Sequence, residues 1–375
     1  MCRKSIKLIA VLTLISLSAS GCWDASPIEK NDITTTVLVD TAPGGYAFYT
    51  EIASLTGGGG GDEGGGSAPK SRVIYGEGPS FVDAREALER KSDKPVYLAG
   101  VQCVIFTERM AYSGIDEYMK RFRQNPRYRK TAMVAVTGEK PDDLFTAASD
   151  NNTLVGLVVN DTLESLVDLG QLYHMTMGDV LEIIACPCKG YLIPRIGLTE
   201  REHDIEVNGF CVMDGGICQG VIPMEEAEFI VYIRGNIPPF RYTMPYDKSS
   251  HTVELRLKRN PLKVDYADGQ IKFDLSFACK ADLLYMEDHP TISDDIMEDV
   301  EKRLGQRLEE EFSKVIRMSQ EVYRLDYLKF HEAFRIRYPD EFEQMDWKEE
   351  YPNAQIKVDV EVNLTGSNID YEPES

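Results

Sequence analysis

Pro95–Thr107 (PVYLAGVQCVIFT) is the most informative segment for the fold, because it runs for thirteen residues without a charged side chain. So apolar a run predicts a strand that is buried in the middle of a sheet. Helical patterns flank it on both sides. Ser80 and Asp83 form a capping box before it, and Ser113 with Asp116 predicts a second capped helix after it. The N-terminal region is therefore predicted to mix α and β structure through β-α-β connections.

The two helices beside this strand each carry one apolar face. The predicted core residues are Phe81, Ala84 and Leu88 in the first helix and Ile115, Met119 and Phe122 in the second. The other N-terminal elements are predicted strands at 33–39, 46–55, 72–75 and 131–136, a helix opened by Pro141, and a short helix capped by Thr176 and Asp179 that ends at Pro187.

A polar stretch, Thr199–His203, marks the predicted boundary between an N-terminal domain, 22–198, and a C-terminal domain, 204–368. The first of these is long enough for two subdomains. Beyond the boundary, turn signals such as Asp268-Gly269 separate the predicted strands. These strands lie at 205–213, 217–223, 251–258, 262–266 and 271–278.

Two strongly patterned elements close the chain. Ser293 begins the longest predicted helix, whose apolar residues recur every four positions at Ile296, Val300, Leu304, Leu308 and Phe312, with Val315 and Ile316 continuing the stripe. Such a stripe indicates core packing, with a partner surface as the alternative. Ile356–Leu364 then alternates apolar and polar residues, which predicts a half-buried strand. The fold class is predicted to be α+β and multi-domain: mixed or antiparallel sheets packed with helices, with long C-terminal helices followed by a final strand.

The charge balance excludes one class of partner. The 375 residues contain 41 Lys+Arg and 62 Asp+Glu, a formal charge of −21, and 43% of them are hydrophobic. That apolar content is ordinary for a folded chain of about two domains. So acidic a protein repels nucleic-acid phosphates and anionic lipid, because binding to either normally relies on basic patches. Nucleic-acid binding is therefore excluded, and any membrane attachment has to rest on something other than surface charge.

The N-terminus supplies such an attachment. Residues 1–21 are predicted to be an export signal, with cationic residues followed by the uncharged run Leu8–Leu17, which covers only half of the ~20 residues that a membrane-spanning helix needs. Ala19-Ser20-Gly21-Cys22 follows and is similar to the bacterial lipobox, although Ala19 stands where a larger aliphatic residue is usual. Cys22 is therefore the predicted lipid-attachment residue, and a plain secretory signal with an incidental cysteine is the alternative.

Lipid on Cys22 would anchor the chain stably, since each buried methylene contributes about 0.8 kcal/mol to the free energy of membrane binding. Two acyl chains therefore give a stable anchor, whereas a single chain binds the membrane only marginally. Cleavage before Cys22 also removes the three positive charges of Arg3, Lys4 and Lys7, which takes the formal charge from −21 to −24. A second, electrostatic attachment is therefore not expected. No other cofactor and no metal are predicted.

Six cysteines remain beyond the signal and the anchor, too few for a disulfide-dependent scaffold: Cys103, Cys186, Cys188, Cys211, Cys218 and Cys279. Cys186-Pro187-Cys188 resembles half of a metal clip, but no second pair stands near it at ligand spacing. Cys211 and Cys218 flank a hairpin turn. With Asp214-Gly215 as the loop the two thiols lie opposite each other and can pair, whereas with Gly215-Gly216 they are out of register and stay reduced, the reading that we favour.

No pattern of catalytic residues is present. The five histidines are scattered singly, and neither GxSxG nor HExxH occurs. Gly64–Ser71 reads like a phosphate-binding loop, but Pro69 replaces the second glycine and has no N–H to donate. The glycine run 57–66 is therefore interpreted as a flexible hairpin loop, and the chain is predicted not to be an enzyme.

Six segments, spread over essentially the whole mature chain, carry a resemblance to a known family. They are Gly21–Asp24, Gly78–Ala84, Leu98–Tyr118 with the following Arg121, Pro126 and Arg129, Tyr191–Pro194, Gly209–Gly220, and His331–Gly366 with its Arg337-Tyr338-Pro339, Trp347 and Tyr351-Pro352. In this order, and together with the lipobox, they resemble the Ger(x)C family, the C subunits of bacterial nutrient-germinant receptors in spores. Three departures are visible: Thr34–Asp40 lacks the apolar-glycine texture of the family, Arg324–Phe330 lacks its glycines and proline, and the glycine loop is expanded.

The resemblance implies a non-catalytic lipoprotein on the outer surface of the spore inner membrane. It implies membrane partners, an A subunit and a transporter-like B subunit, in a receptor that answers small-molecule nutrients by starting germination. Only Cys22 transfers as a functional residue, since the family has no established catalytic motif. One alternative is a solute-binding lipoprotein of an uptake system, which needs a cleft between two similar α/β lobes. The other is a surface hydrolase, which only scattered His and Ser residues support.

Overall fold

A computed structural model describes residues 31–53, 71–185, 190–234, 238–246, 249–286 and 294–365. The signal, Cys22, the glycine run 57–66 and the Cys186-Pro187-Cys188 segment lie outside the described residues.

The first sheet is mixed. Its strands are β1 Asp32–Ala42, β2 Gly45–Ala53, β3 Ser71–Gly78, β4 Val96–Tyr97, β5 Cys103–Thr107, β6 Met133–Thr137, β7 Gly190–Leu198, β8 Ile205–Asp214 and β9 Ile217–Pro223. They lie in the order β3-β2-β1-β5-β6-β7-β8-β9, and the short β4 pairs with β1. The centre, β1-β5-β6-β7, is parallel, and antiparallel hairpins extend it at both ends.

The predicted central strand is confirmed in its position. β5 lies between β1 and β6, and all five of its residues are buried. It is shorter than predicted, because a turn of 3₁₀ helix at Leu98–Gly100 separates it from β4.

Within the described residues, seven helices accompany this sheet: α1 Phe81–Glu89, α2 Glu108–Ser113, α3 Asp116–Gln124, α4 Pro141–Asp150, α5 Val155–Asp168, α6 Met177–Ile184 and α7 Met224–Arg234. The cap predicted for α6 is confirmed as a full capping box between Thr176 and Asp179. At α1 the predicted box is confirmed in one half, since the Ser80 hydroxyl accepts the N–H of Asp83. α5 and α7 were not predicted. α7 buries residues on every side of its last two turns, so it shows no amphipathic period.

The capping box predicted at Ser113 and Asp116 is wrong. Ser113 is the last residue of α2, a helix that starts directly after β5 with the Thr107 hydroxyl accepting the N–H of Met110. Gly114, at φ 109°, then turns the chain, and α3 starts without a side-chain cap. The apolar face was nevertheless predicted correctly, because Met119 and Phe122 are buried in the core.

The second sheet contains β10 Phe240–Tyr246, β11 Ser249–Arg259, β12 Lys263–Ala267, β13 Gln270–Met286 and β14 Gln355–Thr365. β13 pairs with β11 and β12 in antiparallel fashion, and β14 adds a parallel edge strand. The Asp268-Gly269 turn joins β12 and β13 with both residues at positive φ, as predicted for a tight hairpin.

Helices α8 Asp294–Arg317, α9 Phe330–Arg337, α10 Pro339–Gln344 and α11 Trp347–Glu350 pack around this second sheet. The predicted stripe of α8 is buried from Val300 to Ile316, so it serves core packing. One face of α8 also covers the edge of β14. There Glu301 and Glu309 accept the N–H groups of Leu364 and Val360, and Gly305 between them lets the helix approach the strand closely.

The apolar core does not stop at the predicted boundary. Thr199–His203 lies between β7 and β8, which pair within the first sheet. One face of this sheet packs against α1, α2, α3 and α6, and the core on its other face continues through α4, α5 and α7 into the second sheet. The two sheets are therefore joined by one continuous hydrophobic core.

Candidate functional site

The structure settles the pairing of the thiols that it describes. The loop between β8 and β9 is Gly215-Gly216, because Asp214 lies opposite Ile217 and Met213 opposite Cys218. Cys211 lies opposite Val221, so the two cysteines are out of register. Cys103, Cys211, Cys218 and Cys279 are all free and buried. The expectation of two reduced thiols at the hairpin is confirmed.

The environment of these thiols is apolar and unreactive. Burial raises the pKa of the Cys279 thiol to about 12 and that of the Cys103 thiol well above its usual range. At the hairpin, the Cys211 thiol donates a hydrogen bond to Cys218, which lowers the pKa of Cys218 and raises that of Cys211. Although its pKa is lowered, Cys218 is only 3% exposed, and this burial makes it a structural residue of the core.

A buried carboxylate in the C-terminal half has the densest set of polar contacts. The Asp326 side chain is completely buried and accepts the N–H groups of Phe330 and His331 at 3.0 and 2.6 Å. It also accepts Nδ1 of His331 at 2.8 Å and the indole Nε1 of Trp347 at 3.1 Å. We call these four residues the Asp326 centre. It fixes the first turn of α9, where free N–H groups and the helix dipole favour a carboxylate.

The residues around this centre come from the closing passage of the sequence. The Tyr351 hydroxyl hydrogen-bonds to Ser319 at 2.5 Å, and the Gln320 amide donates to the carbonyl groups of Tyr351 and Ala354 at 2.9 Å each. Trp347 stacks near Tyr351, with ring centroids 6.0 Å apart. Trp347 and Tyr351-Pro352, which carried part of the resemblance, therefore hold the last helices against the core.

The Asp326–His331 pair has the composition of a catalytic dyad but not its surroundings. A histidine acts as a general base when a nucleophile lies within about 2.6–3.2 Å of its free nitrogen. Among the described residues no group hydrogen-bonds to Nε2 of His331. The Ser319 hydroxyl is bonded to Tyr351 and to the Ile316 carbonyl. The geometry therefore supports a positioning role for the pair. The described part of the chain also holds no cluster of His, Cys, Asp or Glu suited to a metal ion.

A polar cavity of about 130 Å³ lies beside the Asp326 centre, where the N-terminal half meets the C-terminal half. The first half contributes the segment before α6, α6 itself and the start of β7, and the second contributes the end of α7 and the start of α9. Its polar lining consists of His174, Asp179, Glu182, Tyr191, Arg234, Lys329, His331 and Glu332. A second cavity of about 200 Å³ adjoins it and shares Arg234, Lys329 and Glu332.

Sequence reasoning missed both the Asp326 centre and Arg234. One signal was present: Arg324–Phe330 departs from the family texture in lacking glycines, and the structure places Arg324 and Lys329 in this segment at φ 54° and 69°. Non-glycine residues seldom adopt such angles without tertiary support. Arg234 carried no signal, because its role depends on a contact between distant segments.

Comparison with protein families identifies both halves of the chain. Residues 24–198 match the spore germination protein N-terminal domain, and residues 208–368 match the spore germination B3/GerAC-like C-terminal domain. The two matches follow each other in chain order and together span most of the protein. Within the described residues, no helix is both long and apolar enough to cross a membrane.

Two individual proteins show the same relationship. The spore germination protein YndF of Bacillus subtilis (strain 168) is 20% identical over an alignment of 398 residues, and the alignment covers 97% of each chain. The crystal structure of the GerBC protein shares the fold with a TM-score of 0.55 at 16% identity, over 88% of this chain and 96% of that one. On the evidence of both matched domains, their order and this fold, the chain belongs to the Ger(x)C family of spore germination proteins.

Proposed function

We propose that this protein is the lipid-anchored C subunit of a nutrient germinant receptor. In this role it is non-catalytic and works by assembling with an integral-membrane A subunit and a transporter-like B subunit on the outer surface of the spore inner membrane. A solute-binding lipoprotein of an uptake system is the alternative.

The observation that carries the proposal is the order of parts along the chain. A lipobox with Cys22 comes first, and both germination-protein domains follow it without other sequence between them beyond a short linker at 199–207. The continuous core supports a single body rather than two lobes that close around a solute. The charge of −24 left after cleavage supports lipid and partners, rather than basic residues, as the means of attachment.

Replacement of Cys22 by alanine tests the anchor. We expect the variant to incorporate no labelled palmitate, to leave the membrane fraction of spores, and to slow nutrient-triggered germination strongly, because the acyl chains supply the membrane affinity. Fractionation, acyl labelling and germination with the cognate nutrients measure these effects. Cys2→Ser is the matched control, since it removes the cysteine of the cleaved leader and should leave all three readouts unchanged.

Normal germination by spores whose protein is fully unanchored would contradict the proposal. So would equal acyl labelling of the wild type and the Cys22→Ala variant, because the lipid would then lie on another residue. Co-purification of the two membrane subunits with the wild-type chain tests the assembly separately.

A further inference from the structure

Buried polar atoms without partners collect at the cavity between the two halves. In the described part of the chain, Nε and Nη1 of Arg234 and Nε2 of His331 have no hydrogen-bond partner, and each is buried from solvent. Both residues line the cavity of about 130 Å³. A buried donor or acceptor that stays unpaired destabilises the fold, so most native proteins satisfy such groups. Three such atoms around one cavity point to something that binds there.

The neighbours of Arg234 fix its position without using all its donors. The guanidinium carbon stacks 3.7 Å from the ring centroid of Tyr173, and the hydroxyl of that tyrosine donates to the Leu192 carbonyl at 2.7 Å. Glu332, one of the carboxylates that line the cavity, pairs with Lys329 at 3.3 Å. A held guanidinium with free N–H groups selects an oxyanion, most often a carboxylate or a phosphate.

His331 offers the complementary group. Its side chain is only 2% exposed, and Nδ1 bonds to the Asp326 carboxylate at 2.8 Å. Since a carboxylate can only accept, we assign the ring proton to Nδ1, which leaves Nε2 as an acceptor in the neutral ring. A ligand that fits both residues therefore carries an O–H or N–H donor close to its oxyanion.

Charge and size narrow the oxyanion to a carboxylate. Asp179, Glu182 and Glu332 line the same cavity, so a phosphate dianion would meet three acidic side chains against the cations Arg234 and Lys329. The volume is nearly ten times the ~10–15 Å³ that one water molecule needs. A molecule of a few non-hydrogen atoms fits.

We propose that this cavity binds a small organic acid with a hydroxyl or ammonium group beside its carboxylate, with Arg234 holding the carboxylate and His331 Nε2 accepting the neighbouring donor. The inference goes beyond the proposed receptor role and does not depend on it. It gives this chain a ligand of its own, at a junction to which both halves of the chain contribute.

Titration calorimetry on the full chain in detergent tests this site, with glycolate and glycine as two-group probes and acetate and ethanolamine as one-group probes. We expect glycolate or glycine to bind at least tenfold more tightly than either one-group probe. Arg234→Lys should weaken that binding about tenfold or more, since it keeps the charge but loses Nε and the stacked plane. Arg337→Lys is the matched control, because Arg337 also lies over a tyrosine but is exposed and outside the cavity.

Crystals soaked in the probe that binds provide a second measurement, which needs no variant and decides the matter if Arg234→Lys fails to fold. Density for the probe between Arg234 and His331 supports the site. Three results would overturn it: no heat from any probe up to tens of millimolar, binding that Arg234→Lys and Arg337→Lys affect equally, or only water in the soaked cavity. None of these results bears on the anchor at Cys22, so a failure here is distinguishable from a failure of the receptor role.

Discussion

Two buried carboxylates, one in each half of the molecule, perform the same task with different partners. Glu51 of β2 is 1% exposed and accepts the N–H groups of Val155 and Gly156, at the start of α5, at 3.0 and 3.3 Å. Asp326 accepts the N–H groups of Phe330 and His331 at the start of α9. Neither helix has a side-chain cap on its own N-cap residue. A carboxylate brought in by the tertiary fold replaces the missing local cap in both cases.

The remaining donors differ. Glu51 is completed by the hydroxyl groups of Thr35 and Thr36 at 2.8 and 2.7 Å, which can rotate and can accept as well as donate. Asp326 is completed by the imidazole of His331 and the indole of Trp347, and the indole can only donate. Two of the four groups that donate to the Glu51 carboxylate are thus adaptable. The Asp326 centre is rigid and passes its orientation through His331 to the cavity.

The difference between the two carboxylates separates a contact that only stabilises the fold from one that can also serve a function. A closed carboxylate whose partners are all satisfied contributes stability alone. The Asp326 centre contributes stability as well, but it also holds an imidazole with one ring nitrogen left over at a polar cavity.

The largest effect is expected when each carboxylate is replaced by its amide. Asp326→Asn should lower the free energy of unfolding by about 3 kcal/mol, because the new NH₂ group faces fixed N–H donors. Glu51→Gln should cost less, about 1 kcal/mol, because its NH₂ group can take the place of Oε2. There both threonine hydroxyls can turn to accept from it, and the one fixed donor, the N–H of Gly156, is 3.3 Å away. Denaturant unfolding of the two variants beside the wild type measures both values. Equal losses would show that the distinction between rigid and adaptable donors is wrong.

A smaller effect is expected from the close approach of α5 to β1. A methyl group on Gly156 would lie 2.3 Å from the Thr35 carbonyl oxygen, which is backbone and cannot rotate away. Gly156→Ala should therefore cost about 2 kcal/mol and loosen the contact with Glu51. Gly305→Ala in α8 is the control, since its methyl group would stop 3.3 Å from the Val360 carbonyl oxygen and alanine favours a helix by up to ~1 kcal/mol. A lower melting temperature for Gly305→Ala than for Gly156→Ala in thermal unfolding would contradict this account.

The smallest effect is expected at Arg324, which is exposed and has a φ of 54°. Glycine relieves the strain of a left-handed conformation, so Arg324→Gly should stabilise the protein by about 0.5–1 kcal/mol. Arg335→Gly, inside α9, should instead destabilise it by about 1 kcal/mol. Urea midpoints of the two variants give the comparison, and a loss of stability at both positions would show that Arg324 has a role beyond its backbone angle.

Much of the architecture was predictable from local pattern. The buried strand β5, the caps of α1 and α6, the stripe of α8 and the alternation in β14 all follow from short-range periodicity and end signals. The wrong cap shows why local pattern can mislead. Ser113 looks like a cap in isolation, but the preceding residues already form α2, and the structure around them decides which helix Ser113 joins.

The candidate site was far less predictable. Glu51 reads as one charge in an apolar strand, and Asp326 reads as part of a departure from the family texture. Arg234 lies at the end of a helix that the sequence analysis did not find. Each becomes meaningful only through partners that are distant in the chain, such as Val155, which lies 104 residues beyond Glu51.

Composition, periodicity and contiguous motifs are local properties of a chain. The class of fold, the family resemblance, the acidic charge and the predicted anchor at Cys22 could therefore be read from the sequence alone. Only the tertiary structure decided that the core is continuous across the predicted boundary, that the hairpin thiols are out of register, and that Arg234 and His331 share one cavity. Those facts depend on strand register and on which segments meet after collapse. Long-range packing fixes both, and no single stretch of the chain encodes it.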